Sequence, residues 1–328
     1  MKVLHITNMY PNDDKPWYGV FIADQINSLN KYIENDVFFI DGNKSKFNYF
    51  KSLLELRKIK KEYDIIHCHH GWCGIIALLS FKNHNNIFVS LVGGDLLEKK
   101  IFFKRIIAKI LWSLLPKFKY VIGKSPEMVE ICKKRTSSVG YVPNGVNLNM
   151  FKELNKDNCK QRLNLDLEKK YFLFTAAKND KNRTEKRYDI IEGASKELSS
   201  RGIYNFEILF LSNVSHEMVP LYLNSCEAVL LASDYEGSPN IIKEAMACNV
   251  PIISTAVGNV PDMIEELENC YIAEQNSGNF ADIMEIFINS EENKRCEGRS
   301  RLKDIKLDEN SVAENIYETY RRVNNRNE

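Results

Sequence analysis

Residues 234–247 read Asp-Tyr-Glu-Gly-Ser-Pro-Asn-Ile-Ile-Lys-Glu-Ala-Met-Ala, between one apolar run ending at Ala232 and another, Val-Pro-Ile-Ile-Ser, at 250–254. The pattern predicts strand, tight loop, helix, strand. Gly237 lets backbone approach a ligand closely, Ser238 is a favoured helix N-cap, and Pro239 suits a first helical turn, where its missing N–H costs nothing. A helix start of this kind presents free backbone N–H groups and partial positive charge, which suits an anion. The acidic side chains Glu236 and Glu244, 8 apart in number, must then serve something other than the anion, and sugar or ribose hydroxyls are the natural partners. The competing reading is an ordinary strand-to-helix turn carrying surface glutamates.

The elements around this loop follow from hydrophobic rhythm. Short apolar runs at 3–7, 37–40, 65–68, 87–92, 120–122 and 141–142 alternate with helical patterns such as 21–31, 50–61 and 72–81. After Pro143-Asn144-Gly145-Val146 the rhythm restarts, with strands at 171–176, 206–211, 229–232 and 251–254 and helices from about Lys186, Val219, Pro239 and Phe280. Strands alternating with amphipathic helices predict parallel sheets covered on both faces. The class is therefore α/β, with two Rossmann-like doubly wound domains in series: 1–148, 149–309 and a capped amphipathic helix at 310–328 returning to the first. The turn at 143–145 and the polar segment 152–170 are expected to form the hinge, with a ligand cleft between the halves.

Composition excludes several classes. The 328 residues carry 45 basic and 44 acidic side chains, a net charge of +1, which argues against a globally steered nucleic-acid binder. The opening Met-Lys-Val-Leu-His-Ile-Thr is too short and interrupted for a signal peptide, and no window sustains a membrane-spanning length; the expectation is a cytoplasmic protein. Eight cysteines lie scattered in apolar runs and predict buried thiols, not disulfides. His67-Cys68-His69-His70 with Cys73 invites a metal reading, but neighbours on a strand point to opposite faces, so four ligands are not expected to converge and no metal is expected. The turn after the first strand, Asn8-Met-Tyr-Pro11, lacks the GxGxxG of a nicotinamide site.

The 234–247 motif resembles the acidic signature of the retaining nucleotide-sugar glycosyltransferases of the GT-B fold, family 4, and the resemblance covers nearly the whole chain, most strongly 172–262. It implies two facing Rossmann-like domains and site residues by position. Glu236 would contact hydroxyls of the transferred sugar; Gly237, Ser238, Pro239, Asn240 and Ile241 would meet sugar and diphosphate; Glu244 would bind the ribose. Lys186 and Lys178 would neutralise the leaving diphosphate without a metal. Gly19 would face that diphosphate, and the strand end Asp64-Ile-Ile-His67-Cys-His69 would bring His69 to the substrate, with Asn144 a further binding residue. In Val92-Gly93-Gly94-Asp95, Val92 stands where the family commonly has histidine, so that histidine's role does not transfer; Asp95 would bind an acceptor hydroxyl or cap the following helix. Asn249 and Asn259 replace usual glycines.

The resemblance implies front-face attack by an acceptor hydroxyl, with the leaving diphosphate assisting deprotonation and no protein nucleophile or cofactor. The donor would be a UDP- or GDP-sugar. The early residues look most like the branch of teichuronic-acid and capsule-type enzymes, which implies a polyprenyl-linked or growing glycan acceptor. An epimerase, a phosphorylase and a non-catalytic nucleotide-sugar binding protein remain alternatives. Residues 99–119 and 44–61 are basic and rich in large apolar side chains, so either helix could lie on an anionic membrane or simply pack on the sheet with a solvated face.

Overall fold

The computed structural model describes residues 1–59, 61–96, 102–176, 184–212 and 214–325. The chain divides into two compact units, Met1–Gly145 with Glu309–Glu328, and Val146–Asp308.

The first unit is built on strands β1 (Lys2–Thr7), β2 (Glu34–Phe39), β3 (Ile65–His69), β4 (Ile87–Leu91), β5 (Tyr120–Gly123) and β6 (Val139–Tyr141). They pair in parallel in the order β2-β1-β3-β4-β5-β6. β3 and β4 are buried at every position, as central strands covered on both faces must be, which is why they read as continuous apolar runs without alternation. Helices α1 (Val20–Leu29), α2 (Phe47–Leu56), α3 (Gly71–Ser80), α4 (Gly93–Leu96), α5 (Phe102–Leu114) and α6 (Pro126–Lys133) fall between the strands. The start of α6 shows the local logic: Ser125 accepts a hydrogen bond from Met128 N at 3.3 Å and Pro126 follows in the first turn, so two of the groups a helix start leaves open are dealt with by sequence alone.

The second unit begins with α7 (Lys156–Arg162) and continues through β7 (Lys170–Phe174), α8 (Tyr188–Ser200), β8 (Phe206–Phe210), α9 (Val219–Ser225), β9 (Ala228–Leu231), α10 (Asn240–Ala247), β10 (Ile252–Ser254), α11 (Val260–Ile264), β11 (Tyr271–Ile272), α12 (Ser277–Ile288) and α13 (Gly298–Asp304). Its parallel sheet has the order β11-β10-β9-β7-β8. On one face Phe172, Phe174, Ile190, Ile191, Ala194, Leu198, Phe280, Met284 and Phe287 form one buried cluster. The i, i+1, i+4, i+8 spacing of Ile190, Ile191, Ala194 and Leu198 puts a single stripe of α8 into it.

The segment 152–170, expected as a hinge, belongs to the second unit instead. Its helix α7 packs on α9, Lys156 Nζ meets Glu227 Oε2 at 2.6 Å in a buried pair, and Lys160 Nζ is held by the carbonyls of Leu167 and Lys169 at 2.9 and 2.8 Å. Polar composition misled because these lysines bury their stems and satisfy their ammonium heads locally.

Helix α14 (Glu309–Asn324) belongs to the first unit and packs on α1. Tyr320 is fully buried there, edge-on to Phe88 at 5.4 Å, with its hydroxyl 2.5 Å from His67 Nδ1. Where the chain enters and leaves the second unit, Val146 bridges Asp308 and Val146 N donates to Leu307 O at 3.0 Å. All eight cysteines are free, seven of them buried. Among the described residues no helix is long and apolar enough to cross a membrane.

Candidate active site

In an open parallel sheet, ligands bind beyond the carboxyl ends of the strands where the strand order reverses. In the second unit that place is between β7 and β9, because the chain steps from β7 outward to β8 and then crosses to β9 on β7's other side. The exits of these two strands carry Lys186 and Glu236. Lys186 lies in a 3-10 turn, Thr184–Lys186, with a side chain only 9% exposed, and its Nζ forms an ion pair with Glu236 Oε1. Ser233 Oγ donates to the same carboxylate oxygen at 3.0 Å.

Further contacts stitch the two exits together. Asp234 N donates to Glu185 O at 2.8 Å, and Arg187, held at φ 54°, reaches Asp234 Oδ1 at 3.2 Å and Asp189 Oδ2 at 2.8 Å. The hydrogen bonds to Asp189 and then Asp234 raise the guanidinium pKa further, and Arg187 in turn lowers that of Asp189. Gln275 Nε2 adds a bond to Asp234 Oδ1 at 3.0 Å. A loop fixed this way holds Glu236 without relying on ligand.

Gly237 is buried against the loop after β10. Gly258 there has φ +58°, and a Cβ on it would lie 2.2 Å from Gly237 O. Only glycine fits that position, on both backbone and contact grounds. The expected cap differs from the observed one: Pro239, not Ser238, occupies the position before α10, with φ −66° and ψ 121°. Lys243, one turn inside α10 and fully buried, explains the change, because its Nζ takes Ser238 Oγ at 3.0 Å and Ser238 O at 3.3 Å. This buried ammonium was missed in the sequence, where it reads as one more lysine on a helix. The helix start gains positive charge from it. Ile241 is buried and Asn240 half-buried. Glu244, further along α10, has Oε1 3.5 Å from His216 Nε2, and His216 packs edge-on to Phe151 at 5.3 Å. His216 was also missed, since nothing in its local pattern marks it. Of the residues replacing usual glycines, Asn249 adopts φ 55° and Asn259 an ordinary −103°. Lys178 lies outside the described residues.

The first unit has its own reversal, between β1 and β3. After β1, Gly19 precedes α1 at φ +73°, and a Cβ there would lie 2.4 Å from Met9 C, so the exit loop of β1 closes directly onto it. His69 does not reach outward. Its ring is buried and its Nε2 lies 2.9 Å from His5 Nδ1.

His5, His67 and His69 come together with ring nitrogens within 4.8 Å of one another. The metal reading of this region had considered sequence neighbours; instead alternate residues of β3 share a face, and β1 supplies the third ring. Hydrogen bonds hold the three rings in place. Asn35 Nδ2 donates to Asn30 Oδ1 at 3.0 Å, so its Oδ1 accepts from His5 Nε2–H at 2.7 Å. His5 Nδ1 is then the acceptor for His69 Nε2–H, while His67 bonds Tyr320 OH and, at 2.8 Å, Ser90 Oγ. Burial lowers the pKa of all three, His5 to about 4, and buried Lys124 nearby to about 7. The rings are neutral at pH 7 and serve as core hydrogen-bonding groups.

Asp95 lies within α4, its carboxylate buried. Oδ1 accepts from Gly71 N at 3.1 Å and lies 3.0 Å from His70 Nδ1; Oδ2 accepts from Val92 N at 2.8 Å. It therefore caps α3 rather than the helix that follows it, joining the exits of β3 and β4. Asn144 is buried at the end of this unit's first segment. A cavity of about 1120 Å³ lies at the opposite, amino-terminal edge of the same sheet, lined by residues such as Lys2, Glu34, Lys61 and Asp64. Lys2 and Lys61 are paired there with Glu34 and Asp36, and none of the candidate residues lines it.

Comparison with known proteins decides the class. Residues 194–303, which include Glu236, the 237–241 turn, Glu244 and Gly258, match the family described as glycosyl transferases group 1. Those residues form a glycosyl transferases group 1 domain. An Escherichia coli UDP-Gal:alpha-D-GlcNAc-diphosphoundecaprenol alpha-1,3-galactosyltransferase is 27% identical, over 82% of this chain and 78% of that one. The putative teichuronic acid biosynthesis glycosyltransferase TuaC of Bacillus subtilis is 23% identical over 97% and 93%. Among solved structures, sucrose-phosphate synthase from Thermosynechococcus elongatus superposes with a TM-score of 0.76 at 14% identity, covering 98% and 99%. Anabaena HepE with UDP and glucose gives 0.70 at 14%, covering 97% and 99%. The fold is GT-B, and domain and relatives agree on glycosyltransferase as the enzyme class.

Proposed function

We propose that this group 1 glycosyltransferase moves a sugar from a nucleotide-sugar donor, with retention at the anomeric carbon, to a hydroxyl of a lipid-linked or growing bacterial cell-surface polysaccharide. The observation that carries the proposal is the pair of loops at the β7/β9 reversal: a lysine, a buried helix-start ammonium and backbone N–H groups beside carboxylates with hydrogen-bonding capacity. Lys186, Lys243 and the start of α10 suit the charge that develops on a departing nucleoside diphosphate, so the reaction needs no metal or other cofactor for that step. Glu236 suits sugar hydroxyls and Glu244 the ribose. A diphosphate is already a good leaving group, so the protein's work is positioning and charge stabilisation. The acceptor oxygen forms the new bond to the anomeric carbon as the bond to the diphosphate breaks, and the proton passes to the departing phosphate oxygen. The acceptor class rests on the relatives that act on diphosphoundecaprenol-linked sugar or serve teichuronic acid synthesis.

The test is a panel of UDP-, GDP- and ADP-sugars with purified protein, following nucleotide release with and without a lipid-diphosphate-linked sugar and reading the product anomer by NMR. Donor turnover with an anomer matching the donor supports the proposal; an inverted anomer refutes retention, and sugar interconversion without transfer favours an epimerase.

A membrane surface is a second reading with its own observation. Phe47, Phe50 and Leu54 on α2 and Ile106, Ile110 and Trp112 on α5 are exposed, with Arg105 and Lys109 exposed beside them. Large apolar side chains flanked by bases suit the interface of an anionic bilayer, here the inner membrane face. Co-sedimentation with phosphatidylglycerol vesicles at low salt tests it; protein left in the supernatant refutes it.

A further inference from the structure

We propose that Lys124 and Gln25 form a phosphate-binding subsite of the first unit, at the carboxyl end of its sheet, which takes the diphosphate of a lipid-linked acceptor. The inference rests on the glycosyltransferase reading above and names the part of the acceptor that the first unit grips.

The two residues meet at the edge where an open parallel sheet takes its ligand. Lys124 directly follows β5, and Gln25 lies on α1, the helix after β1. In the strand order β3 and β4 separate β5 from β1, so the lysine side chain runs back across both toward the β1/β3 reversal. His67 and His69 on β3 feel its charge.

Hydrogen-bond accounting shows what the pair can take. Lys124 is 4% exposed and Gln25 7%. Among the described residues the ammonium has one partner, Gln25 Oε1 at 3.4 Å, beyond the usual N–H···O range, and no carboxylate. An ammonium can only donate, so the amide oxygen must be the atom that faces it. Gln25 Nε2 is then left buried with no partner of its own. The titratable groups beside the lysine are His67 and His69, whose buried rings are neutral at pH 7 and bring no negative charge. Burial without a counter-charge holds the Lys124 pKa down to about 7. Buried polar groups are as a rule satisfied, so a lone ammonium beside an unused amide donor points to an acceptor that arrives with a ligand.

The same features choose the ligand. Two donors with no acceptor to spare suit a group that only accepts, and the uncompensated charge calls for an oxyanion; a neutral sugar hydroxyl would leave the ammonium as costly as before. The leaving diphosphate of the donor has its own cations, Lys186 and Lys243, in the second unit. A cation of the first unit therefore fits a second phosphate-bearing substrate, and the proposed acceptor is one. Held at its head by one long bond, the flexible lysine stem lets the ammonium swing from Gln25 onto a phosphate at the strand ends.

The test uses full-length protein labelled with 13C,15N-lysine, with the Lys124 resonances assigned by their absence from K124M. Without ligand they should titrate at about pH 7. A short-chain prenyl diphosphate N-acetylglucosamine should raise that midpoint by about one unit or more, the shift produced by about tenfold tighter binding to the ammonium than to the neutral amine. Methyl N-acetyl-α-D-glucosaminide, which has the sugar without the phosphates, should leave it in place. In calorimetric titrations K124M should bind the prenyl diphosphate sugar at least about tenfold more weakly than wild type. Q25E sets a carboxylate on the ammonium and so fills the subsite from within; its affinity should fall by a similar factor, with the Lys124 midpoint already high before ligand is added. Neither variant strands a buried charge, and urea unfolding checks that both are folded. A Lys124 midpoint unmoved by the prenyl diphosphate sugar overturns the inference, as does binding by K124M and Q25E within about twofold of wild type. An equal shift with the methyl glycoside overturns the phosphate assignment, and an equal shift with UDP overturns the acceptor assignment. Transfer from nucleotide sugar by the same sample separates the two failures: transfer with an unmoved Lys124 sinks this subsite alone, whereas a responsive Lys124 without transfer sinks the transferase reading alone.

Discussion

Replacing Lys186 by methionine separates two roles that the structure superimposes. Its ammonium is paired with Glu236, and the two side chains are 9% and 19% exposed, so solvent screens the pair only partly. A unit charge about 5 Å away at an effective dielectric near 20 interacts by about 3 kcal/mol. A bound diphosphate brings two such charges, while its desolvation and the continuing pull of Glu236 offset much of the gain. A net loss of about 2–3 kcal/mol is expected for K186M, which raises the Kd for UDP roughly 10²-fold and lowers kcat by a similar or larger factor. The same substitution leaves Glu236 with Ser233 as its hydrogen-bond donor, and stability should fall by about 1–3 kcal/mol. Calorimetric titration with UDP and urea unfolding are measured on wild type, K186M, E236Q and K186M/E236Q. The double variant should recover most of the stability, because no carboxylate is then stranded, and should recover none of the UDP affinity. If UDP binds K186M within twofold of wild type, or if the double variant binds it normally, Lys186 is only a counter-ion for Glu236 and the phosphate role is refuted.

Four other outcomes follow from the packing. G258A, which forces a Cβ to 2.2 Å from Gly237 O at a positive φ, should lose about 2–4 kcal/mol in urea unfolding and impair UDP-sugar turnover through the displaced Glu236 loop. Lys124 has a folded pKa of about 7 against an ordinary 10.5, so its burial penalty is absent above pH 10.5 and grows as pH falls to 7; K124M should be more stable than wild type by a few kcal/mol at pH 7, with the gain vanishing toward pH 10.5 in a series of urea midpoints. His5, with a folded pKa of about 4 against 6.5, works in the lower window: its stability is fully present above pH 6.5 and up to ~3 kcal/mol is lost toward pH 4, a slope that H5Q should flatten. Y320F removes the hydroxyl on His67 Nδ1 and should cost about 1–2 kcal/mol in urea unfolding, with UDP affinity unchanged.

Sequence reading recovered the elements more readily than the contacts. Parallel strands buried on both faces, such as β3 and β4, announce themselves as unbroken apolar runs, and the stripe on α8 has a period that only a helix satisfies. The two-residue β11 did not, because Tyr271-Ile272 is too short to carry a pattern. In the site, the residues that share one loop were legible together: Glu236, Gly237 and the helix start belong to a single local signal. Long-range partners were not. Arg187 reaches Asp234 across 47 positions, and His216 meets Glu244 from a turn with no motif of its own. Lys243 shows the same limit, since the period that puts it in α10 does not say it is fully buried. Around β3, alternation puts His67 and His69 on one face but could not reveal that β1 sets His5 beside them, because register between strands is not written in either strand alone.

The chain leaves the first unit at Gly145 and comes back to it with α14, whose Tyr320 fills a central position beside Phe88 and His67. During synthesis, the ribosome therefore completes the second unit while the first still lacks one of its helices. The lobe made earlier is finished later, and until then the flank of its sheet where Tyr320 settles stays open to water, to chaperones and to neighbouring nascent chains.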